Sequence, residues 1–309
     1  MSYQNQKTIN GTIKLSGVGL HNGVKANLVI KPAEENFGIQ FQRVDLSHDN
    51  LIEANFKNVV EPILCTKIKN KNGTTISTVE HLMAAFFGEG IDNALVEVDA
   101  PEIPILDGSA SEFVDAIRSV GSRSQNELRK FIKVLKKVEI NEGEKYISIE
   151  PLENDLIVDF EIVYTNPLIR RRRKEFKLSN TDLVEIYNSR TFCLYEDIDF
   201  IKSQGLAKGG SLENAVVVKG NEILNENGLR NRHEFVFHKI LDCLGDLMLS
   251  GHRIFGHVKT SQGGHALTNK LLIKFFSNKS NWAITTNLAE GKKDNLKDSI
   301  KRSVSANIQ

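Results

Sequence analysis

The chain has only three cysteines in 309 residues, an odd number. Cys65, Cys193 and Cys243 lie far apart, which excludes a cysteine metal cluster and fits free thiols in a reducing compartment. No stretch approaches the roughly 18 apolar residues that a membrane helix needs. Excess charge is missing too: 40 Lys and Arg face 39 Asp and Glu, a net +1. That excludes the basic surplus of a general nucleic-acid binder. The first residues show no charged start followed by an apolar core, so no secretory signal is expected. These absences predict a cytoplasmic protein with no nucleic-acid partner and no transmembrane segment.

What is present is an ordinary globular balance, 40% hydrophobic and 26% charged, in a length that suits two domains. Residues 8–15, 24–31 and 38–44 alternate apolar and polar and read as antiparallel strands with one wet face. The Gly-rich loop between the first two lacks the GxGxxG spacing and carries no phosphate role. A helix follows Ser77, which forms an apparent capping box with Glu80, and Gly88 is its expected stop. A strand from Asn93 to Val98, a proline-punctuated loop and a helix from Ser111 to Val120 close the first half. Residues 121–129 are polar and read as a linker. The second half repeats the plan, with strands at 131–140, 145–150 and 156–164 and an interruption at Arg170–Lys174. A helix at 180–189, an irregular stretch at 192–213 and a strand at 215–218 come next. A helix at about 231–250, a strand at 254–260 and a helix at about 266–277 finish it. Strands first and helices after, twice, predict an α+β fold of two similar domains, each a mainly antiparallel sheet packed on helices. The expected boundaries are 1–125, 130–290 and a polar tail at 291–309.

The helix near 231–250 is the most informative stretch. It stacks His238, Asp242 and Asp246 at four-residue intervals along an otherwise apolar helix. Burying such groups is costly unless they are paired or bound to metal. Each four-residue step overshoots a turn by about 40°. Asp246 is therefore better placed beside a ligand set than in it, and its natural partner is a histidine. His265, after two glycines at a helix start, is available. His81, with Glu80 before it, has the composition of a hydrolytic metal site. A metal acidifies bound water and a neighbouring carboxylate takes the proton. His81, His238 and Asp242 would be three protein ligands, as in a catalytic zinc site. The plainer readings are a capping residue for Glu80, a carbonyl-bonded helix histidine for His81, a surface pair for His238 and Asp242, and a helix-cap histidine for His265. Two histidines and a carboxylate also fit non-haem iron oxygenases. A sugar-nucleotide binding module without activity is a third reading.

Motifs along nearly the whole chain carry a resemblance. They include the runs Gly17–His21, Leu64–Thr66, Ser77–Leu82, Gly90–Asn93, Ala100–Ser109, Arg190–Phe192, Gly209–Ser211, His238–Asp246 and Gly264–Lys270. The chain resembles the UDP-3-O-acyl-N-acetylglucosamine deacetylases, zinc amidases of lipid A synthesis in Gram-negative bacteria. The resemblance implies two α+β domains with Zn2+ (or Fe2+ in its place) in the cleft between them, held by His81, His238 and Asp242. It implies Glu80 as general base, His265 as general acid oriented by Asp246, and Thr191 as a donor to the oxyanion. Lys239 would meet anionic groups of a UDP-acyl-amino-sugar substrate and Phe192 its sugar. Leu194, Ile198, Ala207 and Gly210, from an insert at 193–213, would shape an apolar passage for the acyl chain. A monomer with peripheral membrane proximity is the expected state. The run Arg170–Lys174 is more basic than the family pattern.

Overall fold

The computed structural model describes residues 4–60 and 62–286. The expected tail at 291–309 lies outside the described residues. In the first half, five strands form one sheet in the order Ile13–Val18, Lys25–Pro32, Ala94–Val98, Ile39–Arg43 and Leu51–Glu53. All pairings are antiparallel except Ile39–Arg43 with Ala94–Val98. In Lys25–Pro32 the buried residues Ala26, Leu28 and Ile30 alternate with more exposed ones, so one face meets the core and the other meets water. Helices α1 (Glu80–Glu89) and α2 (Ser111–Val120) accompany this sheet.

The second half builds a seven-stranded sheet around the long strand Arg253–Ser261. That strand pairs antiparallel with Lys145–Glu150 and parallel with Phe131–Val134 and Leu156–Ile162. The remaining helices are α3 (Val184–Tyr187), α4 (Ile198–Ser203), α5 (Glu234–Met248) and α6 (His265–Phe276). Sheets packed on helices, twice, match the expected two-domain α+β class. Helices α1 and α5 pack against each other, and their buried residues join those of both sheets in one core cluster.

The structure corrects several local readings. The polar stretch expected as a linker contains the strand Ser122–Leu128, paired antiparallel with Asn5–Ile9. Ser122–Leu128 is polar and mostly exposed, so it shows no apolar alternation to read. The expected strand at 8–15 is two strands, Asn5–Ile9 and Ile13–Val18. Arg170–Lys174 does not simply interrupt the strands, because Arg172–Lys177 is itself a strand beside Leu156–Ile162. Two basic side chains of the Arg170–Lys174 run are matched by acids on that neighbour: Arg171 pairs with Glu161 at 2.7 Å and Arg173 pairs with Asp159. The helix expected at 180–189 is a single turn, Val184–Tyr187.

Candidate active site

Helix α1 begins later than the apparent capping box predicts. Its N-cap is Val79, with no side-chain cap bond, and Glu80 is its first residue. Ser77 instead donates its backbone N–H to Pro101 O at 3.0 Å. Thr78, with φ 59°, turns the chain sharply before the helix. Glu80 is thereby released from capping, and its carboxylate is 3% exposed. The helix ends at Gly90, whose φ of 76° is a left-handed stop that glycine adopts freely, two residues beyond the expected one.

His81 from α1 meets His238 and Asp242 from α5. The Nε2 atoms of His81 and His238 lie 3.5 and 3.3 Å from Asp242 Oδ1. All three residues are buried, and one ligand atom from each lies within 4.8 Å of the others. His238 Nδ1 is 3.1 Å from Ser189 O; a carbonyl only accepts, so Nδ1 carries the proton and Nε2 presents its lone pair. Burial pushes the His238 imidazole down to about 3, which keeps it in the neutral form a metal ligand needs. Asp242 Oδ1 is buried with no hydrogen-bond partner among the described residues. An unpaired buried carboxylate oxygen facing two imidazole nitrogens is a costly arrangement that a divalent cation relieves. Two imidazoles and one carboxylate suit zinc or iron(II), so the residues fit the implied metal.

Around this trio stand two buried titratable groups. Glu80 Oε2 accepts the Thr66 N–H at 3.0 Å, and Glu80 Oε1 lies 3.7 Å from His265 Nε2. Burial pushes the Glu80 carboxyl up from its ordinary value, opposed by His265 and His81. His265 is the first residue of α6, and its Nδ1 bonds Asp246 Oδ2 at 2.8 Å. Burial works against its charged form, but the Asp246 and Glu80 carboxylates outweigh it and raise its pKa to about 10. Asp246 bonds Thr66 and His265 rather than joining the trio, as the helical rotation predicts.

Beside these groups opens a cavity of about 840 Å³, within the usual size for a ligand site. Thr191, Lys239 and His265 share its wall with Phe192, Ile198, Ala207 and Gly210. Lys239 Nζ bonds Asp242 Oδ2 at 2.9 Å and sits 5.7 Å from the centre of the Phe192 ring. Leu194 is the exception among the expected passage residues. It stands off the wall and packs against the core, leaving Cys193 and Tyr195 to line the cavity.

Sequence reasoning missed the supports. Glu102, 1% exposed, accepts the backbone N–H groups of His21 and Asn22, each at 2.8 Å, and the Thr78 hydroxyl at 2.8 Å. Glu234, at the start of α5, accepts the Arg190 backbone N–H at 3.1 Å and its Nε at 2.8 Å, between Ser189 and Thr191. The acid in the first turn of a helix is a visible signal for Glu234. For Thr66 no such signal exists beyond its place in the Leu64–Thr66 run.

Fold and site together define a metal-dependent hydrolase. The description of a family, UDP-3-O-acyl N-acetylglycosamine deacetylase, matches residues 6–277 of the chain. The chain is 44% identical over 284 residues to the UDP-3-O-acyl-N-acetylglucosamine deacetylase of Shewanella pealeana, covering 91% of this chain and 92% of that one. It is 43% identical to the enzymes of the same name from Pasteurella multocida and Haemophilus influenzae, covering 91% of this chain and 93% of each of those. The chain belongs to this deacetylase family.

Proposed function

We propose that this chain hydrolyses the N-acetyl group of UDP-3-O-(3-hydroxyacyl)-N-acetylglucosamine to the free amine and acetate, the committed step of lipid A synthesis. One observation carries the reading. Two imidazoles and a carboxylate oxygen without a hydrogen-bond partner converge beside a buried glutamate and a histidine–aspartate pair, and the histidine of that pair lines a cavity large enough for an acyl chain.

His81, His238 and Asp242 would hold the ion, with zinc as the proposed metal and iron(II) as its substitute. When bound, it supplies Lewis-acid chemistry, polarising the acetamide carbonyl and acidifying a water. Glu80 takes the proton of the attacking water at Oε1, the oxygen its bond to Thr66 leaves open. His265, held by Asp246 through Nδ1, delivers a proton from Nε2 to the departing amine nitrogen. The Thr191 hydroxyl donates to the carbonyl oxygen as charge develops there. Lys239 meets an anionic group of the nucleotide sugar, and Phe192 offers its ring to the sugar. Ile198, Ala207 and Gly210 line the path of the acyl chain. The domain division at 1–125 and 130–290, with the site in the cleft between, is part of the same reading. So are a monomeric state, a cytoplasmic location and work close to the membrane surface. No helix among the described residues is long and apolar enough to cross a membrane.

The test is acetate release by purified, metal-loaded protein. One acetate per substrate, lost on chelation and restored by zinc, is the expected result. Loaded protein that releases no acetate would refute the reading.

A further inference from the structure

Thr66 is a buried loop residue, 1% exposed, with no chemistry of its own to draw notice. Its backbone N–H donates to Glu80 Oε2 at 3.0 Å. Its hydroxyl donates to Asp246 Oδ1 at 2.6 Å, and the same oxygen lies 3.0 Å from His265 Nδ1. One residue thus touches α1, α5 and α6, each through the side chain that the proposed reaction uses. The loop is brought there by a left-handed turn at Leu64, φ 61°, and by a backbone bond from Val79 N back to Thr66 O at 3.4 Å.

We propose that Thr66 is a positioning residue that fixes the general base and the general acid to one point in the chain. Asp246 accepts at both oxygens, from Thr66 at Oδ1 and from His265 at Oδ2. Two donors on opposite oxygens fix the rotation of a carboxylate. A fixed carboxylate in turn sets the plane of the His265 ring and directs its Nε2 into the site. The bond to Glu80 works differently. It occupies one carboxylate oxygen and leaves the other for the attacking water. Because it comes from the main chain, it survives any replacement other than proline. The two functions of Thr66 are therefore separable: removing its hydroxyl disturbs the acid and spares the base.

The inference rests on the deacetylase reading, and its test presupposes a parent enzyme that releases acetate. Failure of the parent refutes that reading, whereas this one is judged only beside an active parent. Thr66→Val keeps the shape and the N–H and removes the O–H. Its kcat should fall about 10-fold, the kinetic equivalent of one hydrogen bond to a charged group, with KM and zinc content unchanged. Thr66→Ser should restore most of the rate. In an Asp246→Ala background Thr66→Val should cost less than about twofold more, because a residue acting through Asp246 loses its effect when Asp246 is gone. In resting protein, the Nδ1 proton resonance of His265 should move in the valine variant and return in the serine one. A valine variant with parental kcat overturns the proposal, as do a serine variant as slow as valine and losses that add in full. Should the valine variant not fold, Thr66→Cys, similar in size and a weak donor, takes its place under the same criteria.

Discussion

A β-carbon on Gly245 of α5 would overlap the carbonyl oxygen of Glu80 on α1. The two helices approach so closely there that only glycine fits. This contact is what sets His81 beside His238 and Asp242. Gly245→Ala should force the helices apart and destabilise the protein by about 1–3 kcal/mol, the usual cost of overpacking a core. Turnover should fall with it, since Glu80 and His81 shift together. Thermal melting and kcat measure both effects, and a variant with parental values for each would show that the contact is not decisive.

Glu80→Gln keeps the shape of the proposed base and removes its proton acceptor. The zinc content of this variant should match the parent, while kcat drops by about 10²–10⁴. Metal analysis beside an acetate assay separates the two. Normal turnover would remove Glu80 from the role of base.

His238→Ala deletes one ligand and leaves Asp242 Oδ1 with one imidazole instead of two. Zinc should fall below stoichiometric after dialysis against a weak chelator, and acetate release should fall in proportion. Retention of one zinc per chain in this variant would refute the ligand set.

The bridge from Arg230 to Asp107, 2.7 Å long, joins a loop of the first half to the approach of α5 in the second. Burial alone would raise the Asp107 carboxyl, but bonds from Ser109 and Arg230 outweigh it and hold it below its ordinary value. A depressed folded value contributes stability above the unfolded value of about 3.9, and that contribution is lost as the pH falls through the folded one. Asp107→Asn should therefore destabilise the protein at pH 7 by about 0.5–1 kcal/mol, a modest figure because the pair is partly exposed. In acid, once the pH has fallen below that folded value, the two proteins should converge. Denaturant melts at both pH values check this, and an equal gap at both would exclude the linkage.

Ile198 lines the cavity, at the start of α4. Ile198→Ala removes apolar wall from the proposed acyl path. KM for a long-chain substrate should rise by about 5- to 20-fold, from some 1–2 kcal/mol of lost burial, with kcat little changed. A short-chain substrate should show a smaller rise. Equal effects on both lengths would place the acyl chain elsewhere.

Much of this site was legible in the chain itself. The four-residue spacing of His238, Asp242 and Asp246 on an apolar helix announced a buried polar stripe, and the 40° drift per step separated Asp246 from the other two. Glu80 was harder to read, because a serine three residues earlier imitates a capping box. The structure puts Ser77 outside the helix and frees the carboxylate. The strand Ser122–Leu128 was hidden by its polarity, and the matched charges of Arg172–Lys177 made a strand look like a break.

Periodicity and residue type by themselves determined much of the element pattern, the α+β class and the side chains able to carry chemistry. Both are local properties of the chain, since helix and strand periods repeat over a few residues. Tertiary structure alone decided that His81 meets His238 and that Thr66 touches both Glu80 and His265. It also decided that Leu194 faces the core while Cys193 faces the cavity. Those contacts join residues far apart in sequence through close packing, as where Gly245 admits Glu80, and spacing along the chain does not encode them.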